Sequence, residues 1–244
     1  MGFIDLHCHL LPGVDDGALD LADSLAMAHR AVAEGFEAVC ATPHIRDDHD
    51  VRIAELAGRV AALGDELERH EIPLRVLPGG EVSELAVARL RPGELRAVAL
   101  DGGAWVLLEP RAGPLSDSLD EAVGALERHG FHALIAHPER HLGEDLFERL
   151  ARLTGRGALV QATAAFFERP DTAPGMAELA ARGLVHVLGS DAHSSHGGRQ
   201  IAIRGALGAL AGIERVAAHV DWIAHEAPRA ILAGERPRVP YAVG

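Results

Sequence analysis

FIDLHCH, residues 3–9, is a short apolar run that ends in two histidines one residue apart. Alternate side chains of an extended segment point to the same side, so His7 and His9 are expected to face the same way. Elsewhere in the chain an apolar run is again followed at once by a His, Asp or Glu. The pattern predicts a series of buried strands with metal-binding side chains at their ends.

Seven such runs alternate with longer segments of helical period. The runs are continuously apolar, which is typical of parallel strands buried on both faces. Gly35, Gly130 and Gly183 each follow a helical segment shortly before the next run, as C-terminal caps do. The predicted strands are 3–6, 38–42, 74–77, 105–108, 133–136, 158–161 and 185–188. The predicted helices are 21–34, 51–70, 119–129, 145–153, 174–182, 200–210 and 216–232, with an irregular helical connection at 83–100.

Repeated β-then-α units with right-handed crossovers predict an α/β fold, built either as a parallel barrel or as a doubly wound sheet. Seven strands with polar residues at their ends favour the barrel, because active sites of parallel barrels lie at the carboxyl ends of the strands. Neither a linker nor a low-complexity tract interrupts the 244 residues. We therefore expect one domain, residues 1–244.

The composition of the chain limits the cellular location and the classes of binding partner that we expect. A formal net charge of −13 argues against nucleic acid and anionic membranes as binding partners. Cys8 and Cys40 form no disulfide framework, and neither a signal peptide nor a stretch of about 20 apolar residues is apparent. These features predict a reduced, cytoplasmic protein without membrane insertion; the oligomeric state stays open.

Metal-competent residues follow six of the seven predicted strands. The segments that carry them are DLHCH (5–9) with PGVDDG (12–17), ATPH (41–44), GGE (79–81), LEP (108–110), AHPER (136–140) and GSDAH (189–193). Only the sixth strand, with Gln161, offers no strong ligand. Imidazoles and carboxylates without a thiolate suit Mn, Fe, Zn or similar ions rather than a structural zinc site. Either Asp15 or Asp16 could supply the carboxylate of the first loop.

These motifs resemble the polymerase-and-histidinol-phosphatase (PHP) superfamily, and more narrowly its bacterial protein-tyrosine phosphatases of capsule and exopolysaccharide operons. The most distinctive segments are the PGVDDGA stretch (12–18) and the HPER stretch (137–140). The resemblance implies a distorted seven-stranded, TIM-like (β/α)7 barrel that holds three metal ions, with Mn as the first choice and Fe, Zn, Co or Mg as alternatives. It selects Asp16 over Asp15 as a ligand. The implied ligands are His7, His9, Asp16, His44, Glu81, Glu109, His137, Asp191 and His193.

The resemblance also implies two phosphate-binding, catalytic arginines, which are Arg140 and Arg199 here. Three divalent ions would carry +6 against −4 from four carboxylates, so the site would attract a phosphate dianion despite the acidic chain. The expected reaction is hydrolysis of a phosphomonoester by a metal-bridging hydroxide at a trinuclear site. The implied substrate is phosphotyrosine on a bacterial tyrosine kinase of polysaccharide biosynthesis.

Three other interpretations remain. The first is a small-molecule phosphatase such as a histidinol-phosphate phosphatase, and the second is a non-catalytic metal-binding interaction module. The third follows from residues 40–46, CATPHIR, which fit the Cys-x5-Arg spacing of thiol phosphatases. Cys40 lies inside an apolar run, and Pro43 removes a backbone donor that a phosphate-binding loop needs, so this spacing is expected to be coincidental.

Overall fold

The computed structural model describes residues 2–141 and 145–243, and in that part of the chain it contains nine strands. All of their pairings are parallel. The strands are β1 (Phe3–Cys8), β2 (Phe36–Ala41), β3 (His44–Ile45), β4 (Arg75–Pro78), β5 (Glu81–Ser83), β6 (Trp105–Glu109), β7 (His132–Ala136), β8 (Leu159–Thr163) and β9 (Val187–Gly189).

The strands form two sheets, of order β1-β2-β4 and β3-β5-β6-β7-β8-β9. Only Thr42 and Pro43 separate β2 from β3, and only Gly79 and Gly80 separate β4 from β5. Pro43 has no N–H to donate to a ladder, but its carbonyl accepts the N–H of Glu81 at 3.0 Å. The chain thus passes from the first sheet to the second twice, at neighbouring positions.

The outer strands of the two sheets also approach each other. Cys8 at the end of β1 forms an isolated parallel bridge with Ala192, just after β9. The His9 N–H donates to the Ala192 carbonyl at 2.9 Å, and the Asp191 N–H donates to the His7 carbonyl at 2.8 Å. The predicted α/β class with parallel strands is confirmed, whereas a closed barrel of seven strands stays a prediction, because the strands are divided between two sheets.

Nine α-helices lie within the described residues. They are α1 (Leu21–Glu34), α2 (Leu56–Arg69), α3 (Pro92–Val98), α4 (Asp117–Arg128), α5 (Leu146–Gly155), α6 (Ala173–Ala181), α7 (Arg204–Ala211), α8 (Glu214–Ala217) and α9 (Ala227–Leu232). The longer helices bury one side, as α1 does against β2 and α4 against β7. Gly35, Gly130 and Gly183 have positive φ angles, as predicted for C-terminal caps.

Three helical predictions needed correction. The predicted helix 200–210 begins later, at Arg204, as α7. The predicted helix 51–70 begins later, with a 3-10 turn at Ile53–Glu55 followed by α2. The predicted helix 216–232 is three pieces: the end of α8, a π-helical turn at Trp222–Glu226, and α9, whose second residue is Pro228. Pro228 has no N–H to donate to the preceding turn, which accounts for the irregular geometry directly before it.

One cluster of buried apolar side chains joins the strands to the helices. It includes residues from β1, β2 and β6 to β9, together with the buried sides of α1, α2 and α4. In the described part of the chain no helix combines the length and apolarity required to span a bilayer.

Candidate metal centre

The nine ligands implied by the resemblance lie together. Seven lie at the carboxyl ends of strands or in the loops that follow them, while His44 and Glu81, which come just after β2 and β4, begin the short strands β3 and β5. Their ligand atoms form four overlapping groups, and within each group the atoms lie within 4.8 Å of one another. The groups are His9, Asp16, His44 and His193; His7, His9 and Asp191; His7, Glu81 and His137; and His44, Glu81 and Glu109. His7 and Asp191, which are 184 positions apart in the sequence, are therefore neighbours in space.

Glu81, the first residue of β5, is fully buried at the centre of these groups. Its Oε2 atom lies 3.3 Å from Nε2 of both His7 and His9. The same oxygen is 2.9 Å from Nδ1 of His44, and Oε1 is 2.7 Å from Nε2 of His137. Ligands about 2.0–2.2 Å from a tetrahedral ion are themselves roughly 3.3–3.5 Å apart, so several of these spacings suit a shared cation.

Asp191 and His193 complete the inner part of the cluster from the loop after β9. The Asp191 Oδ1 atom is 3.5 Å from His7 Nε2 and 3.7 Å from His9 Nε2. The rings of His9 and His193 face each other with their centroids 3.8 Å apart. These two residues therefore bring a carboxylate and an imidazole against His7 and His9 at the end of β1.

The protonation of the metal-free cluster follows from its contacts. Burial opposes ionisation of Glu81, but the surrounding histidines outweigh it and hold its pKa well below the usual range. Burial likewise disfavours the charged form of His44, yet Glu109 and Glu81 together raise its pKa to about 10. Burial lowers the pKa of His137 to about 3. Because metal ligands bind as carboxylates and neutral imidazoles, cation binding would release protons from this cluster.

Backbone strain occurs at two of the predicted ligands. His137 has φ 29° directly after β7, and Asp191 has φ 50° two residues after β9. Non-glycine residues with such angles cost about 1–3 kcal/mol each and are concentrated at functional sites. The His137 N–H is satisfied by Oε1 of Gln161 at 3.3 Å. Tertiary contacts therefore hold these turns in an orientation that the local chain does not favour.

The two carboxylates of the first loop have different surroundings. Asp15 Oδ2 lies 2.7 Å from His9 Nδ1 and accepts the His44 N–H at 3.0 Å. Although burial opposes ionisation, these bonds hold the pKa of Asp15 below its usual range. Asp16 is 54% exposed, and its Oδ1 lies 3.4 Å from His44 Nε2 and 3.5 Å from His193 Nε2. Asp16 thus lies on the solvent side of the candidate ligand groups, while Asp15 orients His9 through the Nδ1 atom of its ring.

Gly17 permits this loop to lie close to β1. A Cβ atom at Gly17 would come within 2.4 Å of both the Cβ and the carbonyl oxygen of His9. The Gly17 N–H in turn donates to Asp15 Oδ1 at 3.0 Å. The glycine of the PGVDDG segment is therefore needed for the close approach that positions Asp15.

Arg140 and Arg199 both reach the cluster, and each side chain is about one quarter exposed. The Arg140 guanidinium contacts the Asp191 carboxylate. Arg199 donates through Nε to the Asp191 carbonyl at 2.7 Å, and its terminal nitrogen lies 2.8 Å from the His193 ring nitrogens. Burial lowers the pKa of both arginines. Two cationic forks thus border one side of the cluster, where a phosphate group could accept bidentate hydrogen bonds.

Two contributing residues were missed by the sequence interpretation. Gln161 in β8 lies with Oε1 2.9 Å from His7 Nδ1, which directs His7 Nε2 toward Glu81. Arg46 donates to Glu109 Oε1 at 3.0 Å and pairs with Asp48 at 2.8 Å. A polar residue within an otherwise apolar predicted strand was the available signal for Gln161. Arg46 was noted only as the last residue of the Cys-x5-Arg spacing, which does not predict its contact with Glu109.

The donor set fits divalent cations. Within the described residues, the buried Nδ1 atom of His137 has no hydrogen-bond partner. An unsatisfied buried polar atom costs about 1–3 kcal/mol, and more when it is charged. The buried carboxylates of Glu81 and Asp191 lie beside the imidazoles of His7 and His9, so a cation bound among these donors would be stabilised by their negative charge. The set contains no thiolate, so it resembles catalytic rather than structural zinc-type sites.

The Cys-x5-Arg spacing does not build a thiol-phosphatase site. Cys40 is completely buried in β2, and burial raises the pKa of its thiol well above the usual value. Arg46, the last residue of that spacing, is engaged with Glu109 and Asp48. Cys40 is therefore a core residue.

A model of the family described as "Capsular polysaccharide synthesis, CpsB/CapC" matches residues 3–232. The chain belongs to the CpsB/CapC family. The match includes every residue of the cluster described above, from His7 to His193, and both arginines.

Similar proteins in the CpsB/CapC family have assigned activities. The tyrosine-protein phosphatase YwqE of Bacillus subtilis is 32% identical over 202 residues, which cover 78% of this chain and 77% of YwqE. A crystal structure from work on YwqE and on CpsB of Streptococcus pneumoniae, described as unique metal-dependent tyrosine phosphatases, is 28% identical. It covers 99% of both chains with a TM-score of 0.81. The fold is thus that of a metal-dependent tyrosine phosphatase.

More distant similarity concerns the fold alone. A β-aspartyl dipeptidase from Fervidobacterium islandicum AW-1 is 15% identical, with a TM-score of 0.57 over 98% of this chain and 76% of that enzyme. The chain therefore shares its α/β arrangement with proteins of different chemistry, and the fold alone does not determine its activity.

The Asp15→Asn variant tests how the loop of residues 12–17 positions His9. An asparagine side chain has one acceptor oxygen where aspartate has two, so it cannot accept from His9 Nδ1 and from the backbone N–H groups of Gly17 and His44 as the carboxylate does. His9 should therefore bind metal less firmly. We expect a loss of about 10- to 100-fold in metal affinity or kcat/KM, measured by Mn titration of activity. Asp47→Asn, which breaks only an exposed pair with Arg89, is the control and should change neither value. Equal behaviour of the two variants would remove Asp15 from the site.

Proposed function

We propose that this member of the CpsB/CapC family is a metal-dependent protein-tyrosine phosphatase. The observation that carries the proposal is the cluster of nine histidine and carboxylate side chains with Arg140 and Arg199 beside it. The similarity to YwqE selects phosphotyrosine among phosphomonoesters. A bacterial tyrosine kinase of polysaccharide biosynthesis is the proposed phosphoprotein substrate, since the family model is that of capsular polysaccharide synthesis.

We assign the metal ligands residue by residue as the resemblance implied them. Four overlapping groups of donors support the assignment, and three ions, Mn first, are proposed as the resemblance implied them. With four carboxylates in the set, three divalent ions would leave a net charge of about +2 for a phosphate dianion. The ligands are His7, His9, Asp16, His44, Glu81, Glu109, His137, Asp191 and His193.

Bound ions would supply Lewis acidity and a water whose pKa falls from 15.7 to about 7. The protein side chains bind and orient the substrate around them. Arg140 and Arg199 are placed to donate to the non-bridging phosphate oxygens, since their guanidinium groups border the cluster and remain partly open to solvent. Gln161 and Asp15 hold two histidine rings in their orientations. The half-exposed Asp16 marks the side from which substrate enters.

We propose further that the two sheets together make a distorted seven-stranded barrel, with β2 and β3 as one strand position and β4 and β5 as another. The short interruptions at 42–43 and 79–80 and the bridge between Cys8 and Ala192 support this description. The continuous core supports one domain over residues 1–244. Two buried, unpaired cysteines support a cytoplasmic location.

A substrate panel tests the proposed function. With Mn present, kcat/KM is measured for a phosphotyrosine peptide, histidinol phosphate, a nucleotide monophosphate and single-stranded DNA. We expect the phosphotyrosine peptide to be cleaved best. A clear preference for histidinol phosphate would replace the substrate while leaving the metal chemistry intact, and failure to hydrolyse any phosphoester would support a non-catalytic binding module.

Metal removal should affect both activity and stability. Chelation leaves several carboxylates close together in a buried site, so EDTA-treated protein is expected to lose activity and to have a lower Tm. A ligand that is present at 100 times its Kd stabilises the folded state by about 2.7 kcal/mol. Re-addition of Mn should therefore raise the Tm in a concentration-dependent way. Differential scanning fluorimetry and phosphatase assays on the same samples check this. Unchanged activity and Tm after chelation would rule out the metal centre.

A further inference from the structure

Phe166 lies just after β8, the strand for which no metal ligand is predicted. β8 ends at Thr163, and a 3-10 turn, Ala164–Phe167, follows at once. Phe167 is buried in the core, whereas Phe166 is only half-buried. The Phe166 carbonyl accepts a hydrogen bond from the Thr172 hydroxyl at 2.7 Å, so the turn is tied to the start of the next helix. β8 thus delivers an aromatic ring to the edge of the cluster.

This ring is directly next to a proposed phosphate-binding group. The Arg140 guanidinium carbon lies 5.6 Å from the Phe166 ring centroid, while the same guanidinium contacts the Asp191 carboxylate. On the solvent side, the guanidinium carbon of Arg169 lies 5.1 Å from that centroid. Arg169 is half-exposed and pairs with Asp171. Phe166 therefore lies between the metal centre and the surface, separated from the centre by one guanidinium group.

The leaving group of a bound phosphomonoester would be near this position. If Arg140 binds the non-bridging oxygens, the leaving group is attached to phosphorus through the bridging oxygen and extends from the cluster toward solvent. Aromatic rings pair favourably at centroid separations of about 4.5–7 Å, in offset-stacked or edge-to-face geometry. An aryl leaving group can therefore contact Phe166, whereas a short alkyl group offers it no ring.

We propose that Phe166 is a specificity-determining residue that contacts the aromatic ring of the substrate and favours aryl over alkyl phosphomonoesters. This inference rests on the proposed phosphatase function and assigns the part of the site that selects the leaving group. A competing role for Phe166 is purely to orient Arg140 through the cation–π contact. The two roles differ in one respect: orientation of Arg140 affects every phosphoester alike, while ring contact affects only aryl compounds.

The test compares Phe166→Leu with wild type in the Mn-loaded protein. Competitive inhibition constants are measured for phenylphosphonate and methylphosphonate, which share the phosphonate group and differ in the ring. We expect the variant to bind phenylphosphonate about two- to tenfold more weakly and methylphosphonate unchanged. kcat/KM for a phosphotyrosine peptide should fall by a similar factor, mainly through KM. Phe166→Tyr, which keeps the ring, should retain the preference.

Phe167→Leu is the matched control, since it removes a neighbouring ring that is buried in the core. It is expected to lower the Tm and to leave the ratio of the two inhibition constants unchanged. Equal weakening of both phosphonates in Phe166→Leu would overturn the proposal in favour of the orienting role, and an unchanged ratio with unchanged affinities would show that the ring does not contact ligand. If wild type hydrolyses no phosphoester and binds neither phosphonate, the proposed function itself fails.

Discussion

Glu81→Gln is expected to lower kcat/KM by more than about a hundredfold. Removing a residue that only orients a metal ligand costs about 10- to 100-fold, and Glu81 contacts the imidazoles of His7, His9, His44 and His137 directly. The amide has nearly the same shape but lacks the negative charge, so the loss reports on charge rather than on packing. Steady-state kinetics over a range of Mn concentrations measures it.

The same variant should also lose most of the stabilisation that Mn gives. Weaker binding reduces the metal-dependent rise in Tm, because that rise depends on the ratio of metal concentration to Kd. Glu121→Gln, an exposed glutamate on α4, is the control and should behave as wild type. A Glu81→Gln variant with normal kinetics and a normal Mn-dependent Tm would mean that the centre of the cluster does not bind metal.

Arg140→Lys is expected to lower kcat/KM by about 10²- to 10³-fold. Lysine keeps the positive charge but cannot present two parallel N–H groups to phosphate oxygens. Because Arg140 is proposed to bind phosphate and not metal, the metal content of the variant should equal that of wild type. Kinetics and elemental analysis of the same preparation measure both quantities.

Arg152→Lys is the matched control for Arg140→Lys. Arg152 is half-exposed on α5 and pairs with Asp120, and surface pairs of this kind contribute little. Its kinetics should be those of wild type. If Arg140→Lys were as active as Arg152→Lys, Arg140 would have no role in phosphate binding.

Much of this arrangement could be predicted from the sequence, because parallel strands that carry ligands at their carboxyl ends must bring them to one side of the fold. His7, Glu81 and Asp191 were placed near one another by that argument alone. The interruptions of the second and third predicted strands were not predicted. Pro43 and the pair Gly79-Gly80 were interpreted as strand ends, yet the chain resumes pairing immediately, at His44 and Glu81.

Side-chain contacts between distant segments were beyond the reach of sequence patterns. Asp15 and Asp16 are adjacent and identical in type, and only the fold shows that one orients His9 while the other faces the metal groups from solvent. Arg46 approaches Glu109 because β3 pairs with β5 and β5 with β6, a relation set by sheet order. The contact of Arg140 with Phe166 likewise depends on the neighbouring positions of β7 and β8.

Anomalous X-ray diffraction from crystals of the Mn-loaded protein is the most direct measurement of the central claim. We predict three anomalous peaks among the nine ligands, with Glu81 bound to at least one of the ions. Peaks located elsewhere, or no peak within bonding distance of Glu81 in protein that remains active, would contradict the account.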